Sequence, residues 1–368
     1  MTANELLLDE AIRHQIDLAK YSNQVVRRIM RVLNRTDARL FAELTQALER
    51  LDSDSFTVER LESLLGSVRA LNSQAYAQAG QELRQELRDF VDYEVSYQRQ
   101  AVVSVVPAQV SVAAVSAEQV YAAALARPFQ GVLLQGVLAD LEAGKAKKIR
   151  QTIAQGFTEG KTTDAIVREL RGTRAKGFAD GLLEASRRDI EAVTRTALGH
   201  MAGFVQDRFT EANADLIKAV RWSATLDLRT SPICRPRDAK LYEPVSHKPI
   251  DHGFPWLGGP GRAHWRCRSA QTYVLKSLKD LGINIDGDLN IGSTRASLDG
   301  QVPATLTYPE WLAKQSKASQ IEVLGATRAK LYRDGKLPLE ALYDTKGGYK
   351  TIMQLRESDA KAFSKAGL

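Results

Sequence analysis

The 368-residue chain holds only two cysteines, and no proline stands before Pro107. Two cysteines cannot build a disulfide scaffold at this length, so stability must come from an apolar core, and a reducing compartment is expected. No apolar run approaches the ~20 residues that span a bilayer. The opening MTANELLLDEAIRH lacks the basic region and small-residue cleavage site of a secretory leader. A soluble chain that does not engage a membrane is therefore expected. Also missing are GxxxxGK[ST], GxGxxG, HExxH and GxSxG, together with the His-x-Glu and Pro-Cys-x2-Cys pair of zinc deaminases. Nucleotide-dependent and common hydrolytic chemistry thus have no seed, and no enzyme activity is expected.

The scarcity of proline has a positive reading, because proline breaks helix interiors. Ile12, Ile16, Ala19, Val26, Ile29 and Leu33 recur at helical spacing, and so do Leu61, Leu64, Val68, Leu71, Ala75, Ala79, Leu83, Leu87 and Phe90. NRTD at 34–37 and DSDS at 52–55 supply turn signals. Residues 1–106 are predicted to form a long-helix arm or bundle that binds a protein partner, and 107–129, rich in Val and Ala, a connector. Shorter helices follow, with Thr162 or Thr163 as a cap and Arg187 to Phe209 as an amphipathic helix.

Alternation then replaces helical spacing at 219–225 and again at 268–275, which predicts two strands. The loop between them, 226–267, contains all six prolines from Pro232 to Pro260, both cysteines and three of the five histidines. Residues 130–275 are predicted to be a core domain around this loop, and 276–368 a C-terminal extension of loops and short helices, with Tyr308 to Lys314, Ile321 to Arg333 and Leu355 to Lys365 as the helix candidates. The fold class expected is mainly α with a small α+β region.

The chain carries 51 Lys and Arg against 44 Asp and Glu, a formal charge of +7. Residues 220–275 contain nine of the basic residues and four of the acidic ones. Arg221, Arg229, Arg235, Arg237, Arg262, Arg266 and Arg268 are candidate contacts to a nucleic-acid backbone, with Trp222, Trp256 and Trp265 as stacking surfaces. A solvated loop explains the same charges. Cys234, His252, His264 and Cys267 are candidate ligands of one structural zinc, although Ser231 occupies the place where a Cys-x2-Cys pair would begin. Without zinc, the cysteines are small hydrophobes and no cofactor is needed. Asp227 is expected to pair with Arg195 or Arg229. A metal-dependent nuclease using His264 with Asp227 or Asp238 is the alternative to a binding protein.

Four stretches together resemble a known family. Ile149, Ile153, Gly156, Gly160, Thr162, Ile166 and Leu170 look like its I-x3-I-x2-G-x3-G-x-[ST] helix pair, and Val193 to Ala197, with Arg195 and Thr196, like its ARTE-type helix. Trp222 to Cys234, including Asp227, Arg229 and Thr230, and then Gly261 to Ser269 are similar to its W-x4-D-x-RT-x3-C and H-x2-CR signature. The family is that of the phage head morphogenesis, or Mu protein F-like, minor head proteins of tailed bacteriophages. The chain departs from it where Ala197 or Leu198 stands in place of a frequent glutamate, and where Ser231 or Ser269 replaces an expected cysteine. The resemblance implies a virion component in the head interior or at the portal vertex, found in the host cytoplasm during assembly. Its implied partners are the portal protein, the major capsid or scaffold protein, and double-stranded DNA, in packaging or ejection.

Overall fold

The computed structural model describes residues 3–49, 58–128, 130–176, 180–277 and 294–368. Two helices open the chain, α1 (Ala3–Glu49) and α2 (Val58–Val103), followed by α3 (Ala117–Leu125), α4 (Leu134–Thr158), α5 (Thr163–Arg171) and α6 (Leu182–Ala212). The strands β1 (Ile217–Ser223), β2 (Leu241–Tyr242), β3 (Pro249–Ile250) and β4 (Ala270–Leu275) come next, then the hairpin β5 (Thr294–Ser297) and β6 (Gly300–Pro303). Five short helices end the chain: α7 (Tyr308–Lys314), α8 (Lys317–Leu324), α9 (Ala326–Arg333), α10 (Ile352–Ser358) and α11 (Ala360–Ala366). Mainly α with a small antiparallel sheet is the fold class expected.

NRTD does not break the first helix, which runs through 34–37 with Asp37 buried against Lys145 (2.8 Å). A turn-forming residue whose side chain is paired inside a core loses its competing turn conformation. DSDS at 52–55 lies outside the described residues.

Packing divides the chain into two compact units, and neither is a continuous stretch. One comprises Met1–Leu18, Val91–Val120 and Gly199–Leu368, the other Ala19–Phe90 and Tyr121–Leu198. These units cut across the linear segments 1–106, 107–129 and 130–275, while 276–368 falls whole within the first. Proline and composition mark places where helices stop, whereas here the chain passes from unit to unit inside α1, α2, α3 and α6.

In the first unit the sheet order is β3-β2-β1-β4, all antiparallel. Val220, Trp222, Tyr242, Tyr273 and Leu275 bury one apolar cluster with Leu7 of α1, Val102 of α2 and Phe209 of α6. Asn4 brackets Leu275 through its main-chain N–H (2.7 Å) and carbonyl (3.5 Å). A buried polar chain joins His14 to Glu94 (2.7 Å), Glu94 to Gln98 (2.6 Å) and Gln98 to the Tyr273 hydroxyl (2.8 Å). A second cluster gathers the C-terminal helices around Trp311, Leu312, Leu331, Leu342, Leu355 and Phe363, and Leu226 at the start of the loop enters it. Residues 304–368 are thus packed onto the loop's own unit.

In the second unit Leu40, Leu44 and Leu48 of α1 meet Val68 and Leu71 of α2, Ile149 and Ile153 of α4, and Ile166 and Leu170 of α5. Thr162 caps α5, its hydroxyl accepting the Ala165 N–H (3.3 Å). Gly156 is what lets α5 approach, since a Cβ there falls 2.5 Å from Ile166 Cγ1.

Candidate metal centre and basic loop

The two predicted strands pair with each other, with Val220 opposite Tyr273 and Ser223 opposite Ala270, so the loop leaves and re-enters the sheet at one point. The loop is more ordered than an irregular excursion. The Ala239 N–H bonds Trp222 O (2.8 Å) and the Trp222 N–H bonds Lys240 O (3.0 Å), which lays β2 beside β1. Trp256 packs edge-on against Trp222 and Tyr242, with centroids 5.6 and 4.7 Å away. Trp265 lies outside this cluster and is 43% exposed.

Helix α6 seats the far side of the loop. A Cβ on Gly199 falls 2.6 Å from Gly261 O, and one on Gly203 falls 2.5 Å from Arg262 Nε, so two glycines one helical turn apart form the seat. Asp207, a further turn along, takes Arg262 at 2.7 Å. The Gly-x3-Gly spacing on an amphipathic helix is the signal that could have found this contact from the sequence.

Two short turns face each other inside the loop. At Ser231 to Cys234 the Cys234 N–H bonds Ser231 O (3.0 Å), and at His264 to Cys267 the Cys267 N–H bonds His264 O (3.2 Å). Arg266 takes φ 57°, the left-handed conformation a non-glycine residue seldom adopts, and this closes the second turn. Cys234 Sγ then lies 3.7 Å from Cys267 Sγ and 3.2 Å from His264 Nε2, and Ser231 Oγ is 2.8 Å from the same nitrogen. The ligand atoms of the two cysteines and the histidine all fall within 4.8 Å of one another. Ser231 thus stands at a fourth corner, mirroring His264 across the pair of x2 spacings.

Burial pushes the Cys234 thiol well above its ordinary pKa. The hydrogen bond with Cys234 and then the His264 imidazole hold the Cys267 thiol well below its own, against burial. For His264, burial opposes protonation, but Cys267 and the Trp265 carbonyl outweigh it and raise the pKa. His252 does not join them. Its Nε2–H donates to Leu241 O (2.8 Å), and its Nδ1 accepts the Phe254 N–H (3.2 Å). Both ring nitrogens are therefore occupied within the backbone, which removes His252 from the ligand set read from the sequence.

Neither carboxylate of the nuclease alternative is aimed at His264. Asp238 is fully buried and accepts from the main-chain N–H groups of Ala224 (2.7 Å) and Tyr308 (2.6 Å) and from Arg295 (3.2 Å). Asp227 accepts a two-pronged contact from Arg268 (2.5 and 2.9 Å), the Arg229 N–H (3.0 Å) and the Thr230 hydroxyl (3.1 Å). Its partner is thus Arg268, with Arg229 contributing only main chain. Arg195 instead bonds Glu191 (2.8 Å) and Asn23 (2.6 Å), and Thr196 bonds the Ala192 carbonyl one turn back (2.8 Å).

The seven candidate arginines divide sharply. Arg237 is 0% exposed and donates to the carbonyls of Ile233, Pro255 and Thr345; Arg235, 6% exposed, donates to those of Thr230 and Val323 and to the Tyr349 hydroxyl. These two are internal cross-links and cannot meet a phosphate while folded. Arg262 is paired with Asp207 and Arg268 with Asp227, and the Arg221 guanidinium is lowered in pKa by its burial. Arg229 and Arg266 remain exposed.

No curated protein and no solved structure matches the chain. Residues 147–272 match the model of the family described as Phage Mu protein F like protein, a span that runs from α4 through the Cys/His turns to β4. Over that third of its length the chain is similar to the Phage Mu protein F-like proteins.

Proposed function

We propose that this chain is a minor, non-enzymatic structural protein of a tailed-phage head, located at the portal vertex or head interior after assembly in the host cytoplasm. In this role it binds the portal, with the major capsid or scaffold protein as neighbour, and contacts double-stranded DNA during packaging or ejection. The observation that carries the reading is the Mu protein F-like span 147–272. Mass spectrometry of purified virions tests it: a few copies per particle are expected, and absence from the particle overturns it.

The DNA contact is better supported on α1 than in the loop. Arg27, Arg31, Arg35 and Arg39 are exposed at four-residue spacing along one helix face, a step of about 6 Å at ~1.5 Å per residue. Among the described residues none of the four is in an ion pair. An unpaired guanidinium row of this kind suits phosphates. Exposed Arg229 and Arg266 can supplement it. Each phosphate neutralised adds about 0.9 to the slope of log affinity against log salt. Replacing the four α1 arginines by alanine together is therefore expected to flatten that slope, and an unchanged slope would move the DNA site elsewhere.

A further inference from the structure

We propose that Cys234, His264 and Cys267 bind one zinc-class divalent ion through Sγ, Nε2 and Sγ, with the fourth position, beside Ser231, filled by water. The inference goes beyond the head reading and does not depend on it.

The sulfur pair already has the separation a metal demands, and the His264–Cys234 edge need only open by a few tenths of an ångström. With Zn–S about 2.3 Å and Zn–N about 2.0–2.1 Å, a tetrahedral site has an S···S edge of about 3.8 Å and an S···N edge of about 3.6 Å. The loop already holds its sulfurs 3.7 Å apart, with His264 Nε2 3.2 Å from Cys234 Sγ. The His264 tautomer is set as well. Nδ1–H donates to Trp265 O (2.9 Å), which leaves the Nε2 lone pair turned toward the sulfurs, the outer-shell arrangement of ligating histidines. Two sulfurs and an imidazole with no carboxylate among them select a soft or borderline ion over magnesium or calcium. In the metal-free protein the Ser231 hydroxyl donates to Nε2; on binding it releases that nitrogen and faces the ion's open position. Both thiols lose their protons to solvent as the two Zn–S bonds form.

The ion would clamp the turn that follows β1 to the turn that precedes β4, joining sulfurs 33 residues apart in sequence across the Pro/Gly-rich segment. The sheet already brings the loop's ends together, so the metal locks a fold that is largely in place.

A Cys234–Cys267 disulfide is the competing use of the same sulfurs, and the experiment separates the two. Full-length protein is purified without chelator, under reducing conditions, and its metal is measured by elemental analysis. The stripped protein is then titrated with Co(II). One zinc per chain and a thiolate-to-cobalt charge-transfer band with tetrahedral ligand-field absorption are expected. Cys267→Ser and His264→Ala should lose metal, and Ser231→Cys, which completes a four-ligand set, should hold it more tightly. The proposal is overturned by folded, reduced wild-type protein, with both thiols titratable after denaturation, that neither contains zinc nor produces the cobalt spectrum. A disulfide in protein isolated without reductant, coupled to no cobalt uptake after reduction, overturns it too and assigns the pair to redox chemistry. Folded Cys267→Ser that retains the wild-type cobalt spectrum overturns the ligand set. Should the variants fail to fold, the wild-type spectrum and stoichiometry decide alone.

Discussion

Arginine shows at the level of single residues how a charge count can mislead. Arg235 and Arg237 sit in the most basic part of the chain, yet both guanidiniums are directed inward at backbone carbonyls. Arg235→Ala is expected to leave the salt dependence of DNA binding unchanged and to lower stability by about 1–3 kcal/mol for each buried acceptor it orphans. Thermal unfolding beside a salt titration checks both halves; a flattened salt slope in a stably folded variant would restore Arg235 to the DNA surface. Asp238 and Arg295 form the complementary case, a buried ion pair with side chains 0% and 5% exposed. Asp238→Ala strands the guanidinium and should cost about 3–5 kcal/mol, read as a lowered urea midpoint at constant slope. Asp227 supplies a pH signature. Burial, the largest influence, raises its pKa, but Arg268, Thr230 and the Arg229 N–H together hold it below the ordinary carboxylate range. A folded pKa below the unfolded value of about 3.9 stabilises above that value, and the contribution is lost as pH falls through the folded one. The stability gap between wild type and Asp227→Asn should accordingly shrink on acidification from about pH 5 to about pH 2, and a gap constant with pH would sink the assignment.

Elements were legible wherever one local force dominated. The strands around 219–225 and 268–275 emerge as β1 and β4, although both are buried at almost every residue rather than on one face, and Thr162 caps α5 by accepting the Ala165 N–H. Tyr308 to Lys314 is α7 as read, with Thr307 and Glu310 forming a capping box. The stretch 321–333 is two helices, since Gly325 at φ 76° ends α8 and opens α9, and 355–365 is likewise split at Asp359, whose carboxylate caps α11. Such breaks are invisible to apolar spacing, which continues across them. The Cys/His turns were half legible. The x2 spacings and the serine at the fourth corner are in the sequence, but the exclusion of His252 depends on backbone contacts with Leu241 and Phe254 that no spacing encodes. Gly156 and Ile166 carry the element-scale prediction. Gly156→Ala gains helix propensity, yet its methyl meets Ile166 at 2.5 Å, so overpacking of about 1–3 kcal/mol should win. Ile166→Ala alone should cost about 2–5 kcal/mol, and the double variant should be more stable than the sum of the two. Strict additivity in denaturant titrations would show that the α4–α5 contact is not the cause.

The long first helices read from sequence as an arm or bundle, because a proline-free stripe announces a helix without announcing what covers it. Among the described residues the covering is found far away in sequence. Leu7 and Val102 lie in the cluster of Val220, Trp222 and Tyr273; Asn4 holds the β4 main chain at Leu275; and the buried polar chain from His14 through Glu94 and Gln98 ends on the Tyr273 hydroxyl. The first unit therefore takes both ends of the hairpin as part of its own core, and only residues 19–90 of α1 and α2 belong to the other. A chain beginning at residue 106 loses Leu7 and Val102 from the cluster and leaves Tyr273, whose pKa burial raises well above normal, without the Gln98 acceptor. Burying an unpaired hydroxyl costs about 1–3 kcal/mol, and each large apolar side chain removed costs about 2–5 kcal/mol, a sum comparable with the whole ~5–15 kcal/mol of a domain. Deletion of residues 1–105 is thus expected to abolish cooperative thermal unfolding of the sheet unit, seen as loss of the near-ultraviolet signal of Trp222 and Trp256. A truncated chain that unfolds cooperatively with that signal intact would show that the hairpin is an arm after all. The proposed portal contact is then to be sought with exposed substitutions on α1 and α2 that leave Leu7, Val102 and Gln98 in place.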